Sequence, residues 1–123
     1  MYTIDTNILI YHANGDPRVS AFLLSACEKD TPLILPTIAV VEFFSFPAMT
    51  PRVKEIFEVL LPYFRITDLD YPLSLAAAQL RRNSRLKLGD SIIAATALAT
   101  HSYLVTRNVR DFKRIVGLKI IRL

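Results

Sequence analysis

The sequence predicts an α/β layer fold built on a mainly parallel sheet, and three observations carry that reading. Short apolar runs such as Leu33-Ile34-Leu35 show no polar alternation, the mark of strands covered on both faces. Stretches with apolar residues at helical spacing separate these runs, as the crossover connections of parallel strands require. The chain's 123 residues are 52% hydrophobic with a net charge of only +4, which excludes disorder and provides apolar surface for a single domain over 1–123.

Taken in order, Tyr2-Thr3-Ile4 is β-prone and gives way to the turn- and cap-forming Asp5-Thr6-Asn7, so the first strand is expected to end near Asp5. Val19, Phe22, Leu23 and Ala26 then mark an amphipathic helix over 18–28. Leu33–Leu35 lies between Pro32 and Pro36 and is too short for a helix, so it reads as a buried strand. Pro36-Thr37 opens a helix running to about Phe46, before Pro47. Val53, Ile56, Phe57, Leu60 and Leu61 form the stripe of a further helix between Pro51 and Pro62. Phe64–Thr67 is a candidate third strand, 71–85 is helical, and Gly89-Asp90 announces a helix through about Thr100. Tyr103–Thr106 reads as a strand, a helical turn is expected over 111–115, and Lys119–Ile121 closes the sheet. No repeat, low-complexity tract or interdomain linker interrupts the pattern.

The longest uncharged stretch, Ser91–Thr106, is broken by polar residues and falls short of the roughly 18 apolar residues of a membrane span. No basic region precedes an apolar core at the N-terminus, where the first basic residue is Arg18, so no secretory signal is expected. The lone Cys27 fits a reducing compartment. A cytoplasmic location without membrane association is the resulting expectation.

Charge is distributed unevenly. Residues 1–80 carry five basic and nine acidic side chains, whereas residues 81–123 carry ten basic and two acidic ones. Such a basic segment suits a polyanion. Its two acids, Asp90 and Asp111, join Asp5 and Glu42 as four carboxylates in places a core would not choose. Singly, Asp5, Asp90 and Asp111 could each cap a helix. Glu42 is flanked by apolar residues on its own helical stripe, with Ile38 and Phe46 one turn away on either side. It must be neutralised by a cation, raised in pKa, or turned out at the helix edge.

Position binds the four together. In an open parallel sheet, sites form beyond the carboxyl ends of the strands. Asp5 ends the first strand, Glu42 lies on the helix leaving the second, Asp90 starts the helix leading into Tyr103–Thr106, and Asp111 follows that strand. Carboxylates gathered at one rim repel unless cations compensate them, and an all-oxygen set selects Mg²⁺ or Mn²⁺. Two such ions about 4 Å apart can activate water and steady the leaving oxygen in phosphodiester cleavage. Other chemistries lack their parts. The three glycines, Gly15, Gly89 and Gly117, are isolated and form no phosphate loop. His12 and His101 have no triad or zinc spacing, and Cys27 sits on an apolar helix.

Four segments together resemble the PIN domain, most closely the VapC-type toxins of toxin–antitoxin pairs. Ile4-Asp5-Thr6-Asn7-Ile8-Leu9-Ile10 resembles that family's opening motif and Val40-Val41-Glu42-Phe43 its second. The segment from Arg85 to Ala97, containing Gly89-Asp90-Ser91, is the most specific match, and Leu104 to Phe112, containing Thr106-Arg107-Asn108 and Asp111, is the last. The chain departs from the pattern at Gly89, where Pro is common, and at Asn108, where some relatives carry a further acid. The resemblance implies a three-layer α/β/α fold with a sheet of about four or five strands. It implies a metal-dependent endoribonuclease with Asp5, Glu42, Asp90 and Asp111 as catalytic residues around Mg²⁺ or Mn²⁺. Thr6, Asn7, Ser91, Thr106 and Asn108 are the polar residues implied to steady the ligands or the attacking water. Arg81, Arg82, Arg85, Lys87, Arg107 and Arg110 are the candidates to hold RNA. An antitoxin protein and a second copy of the chain are the implied partners.

Two rivals remain. An aspartyl-nucleophile phosphomonoesterase would want a second acid two residues after Asp5, where Asn7 stands. A non-catalytic PIN-like module that binds RNA or protein would share the fold without the chemistry.

Overall fold

The computed structural model describes residues 1–123. Five strands, β1 (Tyr2–Ile4), β2 (Leu33–Pro36), β3 (Phe64–Thr67), β4 (Tyr103–Thr106) and β5 (Ile120–Arg122), form one sheet in the order β3-β2-β1-β4-β5. Every neighbouring pair is parallel. The connections are helical: α1 (Thr6–Ala13) and α2 (Pro17–Glu28) lead from β1 to β2, and α3 (Thr37–Phe44) and α4 (Pro51–Leu60) lead on to β3. The chain then returns through α5 (Tyr71–Ser84) and α6 (Leu88–Ala99) to the far side of β1, and the short α7 (Val109–Phe112) joins β4 to β5.

Side chains alternate along buried strands, so the sheet carries a separate core on each face. Ile4, Leu33, Leu35 and Val105 pack with Ile8, Leu23, Phe43 and Phe57 of α1–α4. Leu104, the neighbour of Val105, packs instead with Ile93, Ala97 and Phe112 of α6 and α7. Helices therefore cover both faces, which gives the α/β/α layering that the resemblance implies. No helix is long and apolar enough to cross a membrane.

The predicted elements are found with small displacements at their ends. The helix expected to reach Phe46 stops at Phe44, where the Ser45 hydroxyl and amide both bond back to the Val41 carbonyl. The turn expected over 111–115 lies earlier, at Val109–Phe112, and the last strand lies one residue later, at Ile120–Arg122. Its register is set by pairing of Leu104, Val105 and Thr106 with Ile120, Ile121 and Arg122, a constraint local pattern does not contain. Helix α5 ends at Arg85, whose left-handed φ of 51° turns the chain into α6 without a glycine.

Phe112 is fully buried and is the anchor that seats α7 against α6. Phe112→Ala is expected to lower unfolding free energy by about 3–5 kcal/mol. Urea denaturation should show the midpoint falling with the slope unchanged; a midpoint like wild type would mean α7 is seated by other contacts.

Candidate active site

Strand order reverses at β1, which pairs with β2 on one side and β4 on the other. The crevice beyond the carboxyl ends of β1 and β4 is therefore where an open parallel sheet places its site. Asp5 follows β1 directly, and Thr106 is the last residue of β4. Both are buried, and the Thr106 hydroxyl donates to Asp5 Oδ2 at 2.7 Å across 101 residues of sequence. With its proton committed, that hydroxyl accepts from the Asn108 amide at 2.9 Å and from Asn7 Nδ2 at 3.5 Å. Asn108 reaches onward through its own side-chain amide, which donates to Asp111 Oδ2. Glu42, on the outer part of α3, is exposed and accepts from the Thr6 hydroxyl at 2.8 Å. Of the three outcomes open to Glu42, the fold turns it out at the helix edge.

None of Asp5, Asp90 and Asp111 is a helix cap. Asp5 occupies the N-cap position of α1 without a capping bond, Asp90 lies inside the first turn of α6, and Asp111 lies within α7. Helices α2, α4 and α5, away from the acids, are capped by Asp16, Thr50 and Asp70. The four helices that carry or follow the acids, α1, α3, α6 and α7, have no side-chain cap.

The acids feel one another. Burial pushes Asp5 up to about 6; the hydrogen bond from Thr106 opposes that rise, and the charges of Asp90 and Glu42 add to it. Asp90 is also raised, first by burial and then by the charges of Asp111 and Glu42, with Lys87 opposing. The fold thus brings all four sequence-predicted carboxylates into one electrostatic neighbourhood. No three of them are gathered into a ready cage for a cation. The donor chemistry nevertheless fits a hard divalent ion: carboxylates only, with no thiolate or imidazole among them. Asn7 Oδ1 adds to that fit, because it is a buried oxygen acceptor without any hydrogen-bond partner.

Gly89 has a role that sequence reading did not identify. A Cβ there would stand 2.8 Å from Glu42 Oε2 and 3.1 Å from its Cδ, so the missing side chain lets Glu42 lie against the start of α6. Its departure from the common Pro was the available signal. Ser91 stands apart from the other supporting polar residues, because its buried hydroxyl donates to the Leu88 carbonyl at 2.6 Å and tightens the first turn of α6.

The basic candidates divide into three groups. Arg85, Lys87 and Arg110 line a cleft of about 420 Å³ together with Asp90 and Asp111. Lys113 and Arg114 also line it, and their place directly after Asp111-Phe112 was the overlooked signal. Arg81 and Arg82 line a larger, more apolar groove of about 590 Å³ that shares Arg85 and Leu86 with the cleft but reaches neither acid. Arg107 does not join them. Its guanidinium pairs with Asp16 at 2.6 Å, donates to the Leu123 carbonyl at 3.1 Å, and lies 4.3 Å over the Tyr11 ring. It is an anchor for the β4 exit rather than a free cation, unlike the other RNA candidates. His12 bonds to Ser20, and neither it nor His101 belongs to the acid network.

The PIN domain family model matches residues 2–118. The chain belongs to the PIN domain family. It is 31% identical over 124 residues to Ribonuclease VapC10 of Mycobacterium tuberculosis, covering 97% of this chain and 91% of that protein. Among solved structures, a toxin–antitoxin complex from Klebsiella pneumoniae contains a chain 29% identical with a TM-score of 0.79, covering 98% of this chain and 96% of that one. VapBC2 from Rickettsia felis, solved bound to a DNA fragment from the promoter, matches the PIN fold seen here with a TM-score of 0.84 at 24% identity, over 99% of this chain and 98% of that one.

A pH dependence follows from Asp5. Its carboxyl titrates at about 6 in the folded PIN domain against an ordinary 3.8, so the folded state holds the proton more tightly. The stabilisation is full below about pH 4 and is lost as pH rises through about 6, by about 3 kcal/mol in all. Asp90 is displaced in the same direction. In EDTA, Asp5→Asn should therefore gain stability over wild type progressively between about pH 4 and pH 7 in urea titrations. A difference that is flat across this window, or that falls with pH, would refute the burial of a charged Asp5.

Proposed function

We propose that this chain is a metal-dependent endoribonuclease of toxin type, which hydrolyses phosphodiester bonds in single-stranded or loop regions of RNA in the cytoplasm. The observation that carries the reading is the convergence of Asp5, Glu42, Asp90 and Asp111 at the β1–β4 crevice, beside a cleft lined by cations. Similarity to a protein named as a ribonuclease supports the reaction class. The solved toxin–antitoxin complex supports an antitoxin protein as partner. A homodimer completes the reading by family resemblance.

In this mechanism Asp5, Glu42, Asp90 and Asp111 would hold Mg²⁺ or Mn²⁺. When bound, the ion supplies an activated water and compensates charge at the leaving oxygen. The chain's residues set the stage for that chemistry. Thr106 orients Asp5 through its hydrogen bond, and Thr6 orients Glu42. Asn108 ties the β4 exit to Asp111, so a hydrogen-bonded chain runs from Asp5 through Thr106 and Asn108 to Asp111. The first turn of α6 leaves partial positive charge beside Asp90, which opposes the rise that burial and the neighbouring acids impose on it. Burial and mutual repulsion keep the acids poised to accept a cation.

A non-catalytic PIN module is the second reading, favoured by the lack of a ready three-carboxylate cage. Cleavage of labelled RNA decides between them. Wild type should cut in Mg²⁺ and stop in EDTA. Asp90→Asn should lose at least about a hundredfold, because even groups that merely support a metal ligand contribute about ten- to a hundredfold. Undiminished cleavage by purified Asp90→Asn would sink the catalytic assignment.

Gly89→Ala gives a separate check of Glu42. The added methyl displaces the terminal carboxylate of Glu42, which accepts from Thr6, and leaves the fold intact. The Mg²⁺ concentration for half-maximal cleavage should rise by about tenfold, with an unfolding midpoint at or above that of wild type. An unchanged Mg²⁺ requirement would remove Glu42 from the ion's surroundings.

A further inference from the structure

Of the ten basic side chains in residues 81–123, only Arg107 forms an ion pair. Five of the others, Arg85, Lys87, Arg110, Lys113 and Arg114, line the single cleft of about 420 Å³ that ends on Asp90 and Asp111. They come from two segments. Arg85 stands at the left-handed junction between α5 and α6, and Lys113 and Arg114 directly follow the buried anchor Phe112. Like charges held in one concavity repel each other, and the folded backbone keeps them there without acidic partners sufficient to offset them. The arrangement is relieved by a polyanion that lays successive charges along the cleft.

We propose that this cleft is a phosphate-backbone subsite, in which Lys113 and Arg114 take the phosphate adjacent to the one presented to the carboxylates. Arg85, Lys87 and Arg110 flank the same strand. The inference rests on the ribonuclease reading and adds where the strand is gripped and by which atoms: the Lys113 ammonium and the Arg114 guanidinium, both exposed. The ligand is a nucleic-acid backbone rather than an acidic protein segment. Leu86 is the only hydrophobic residue lining the cleft, so a protein segment would find charge there but no apolar anchor of the kind that carries protein interfaces. Recognition is of phosphate, independent of base, and therefore contributes affinity and position without sequence preference.

The test is fluorescence anisotropy of a short labelled oligouridylate titrated in EDTA over a range of salt, so that binding is read without cleavage. The double variant Lys113→Ala, Arg114→Ala is compared with Lys119→Ala, Arg122→Ala, which removes the same charge from exposed positions outside the cleft. The cleft variant should bind about tenfold more weakly at low salt. Its dependence of log affinity on log salt should be shallower by about 1.4, the value for two lost contacts to a single strand. The control should match wild type, and Lys113→Arg with Arg114→Lys should restore both affinity and slope. Wild-type affinity and slope in the cleft variant would overturn the subsite while leaving cleavage, assayed separately in Mg²⁺, to support the ribonuclease. An equal loss in the control would reduce the effect to net charge. Displacement of the RNA by oligoglutamate as readily as by unlabelled oligouridylate would reassign the cleft to an acidic protein. Wild type that neither binds nor cleaves RNA would overturn both readings.

Discussion

Parallel pairing of β1 between β2 and β4 is the constraint on which the site depends. Parallel strands cannot be joined by tight turns, so each connection climbs back over a face of the sheet and every strand ends on the same edge. Two crossovers carry the chain from β1 to β3 in one direction, and the next returns it to the opposite side of β1. That reversal opens a crevice at the end of β1, and it brings Thr106 onto Asp5. Asn108 and Asp111 follow at the β4 exit, linked to Thr106 by hydrogen bonds.

Around this crevice the chain departs from rules it obeys elsewhere. Asp16, Thr50 and Asp70 cap helices in the ordinary way, whereas the helices bearing the acids begin uncapped. A buried Asp5 that titrates near 6 is unfavourable for the folded state at neutral pH, and neighbouring carboxylates make it more so. Local rules are broken where function takes precedence over stability, and the two cores on either face of the sheet supply the compensation. The unpartnered Asn7 Oδ1 belongs to the same pattern.

The cations divide along similar lines. Arg107 is tied to Asp16, the Leu123 carbonyl and the Tyr11 ring, and this holds the residue next to Thr106 in place. The cations lining the cleft beside Asp90 and Asp111 form no ion pair. One basic side chain is thus structural, and its neighbours in sequence face the cleft. Nothing in the run Thr106-Arg107-Asn108-Val109-Arg110 distinguishes them, since charge and spacing are alike; the difference lies in which side of the β4 exit each side chain leaves.

Much of this protein was determined by its sequence alone. Unalternating apolar runs and helical stripes specified the strands, the helices and the parallel class, because burial on both faces and helical periodicity act over a few residues. The order of the four acid-bearing segments was legible for the same reason. What the tertiary structure decided was everything that depends on distant residues meeting. It chose the register of β5, the escape of Glu42 to an exposed edge beside Gly89, and the separation of Arg107 from the cleft. Each is settled by contact between segments tens of residues apart, and such contacts exist only once the sheet has brought its carboxyl ends together.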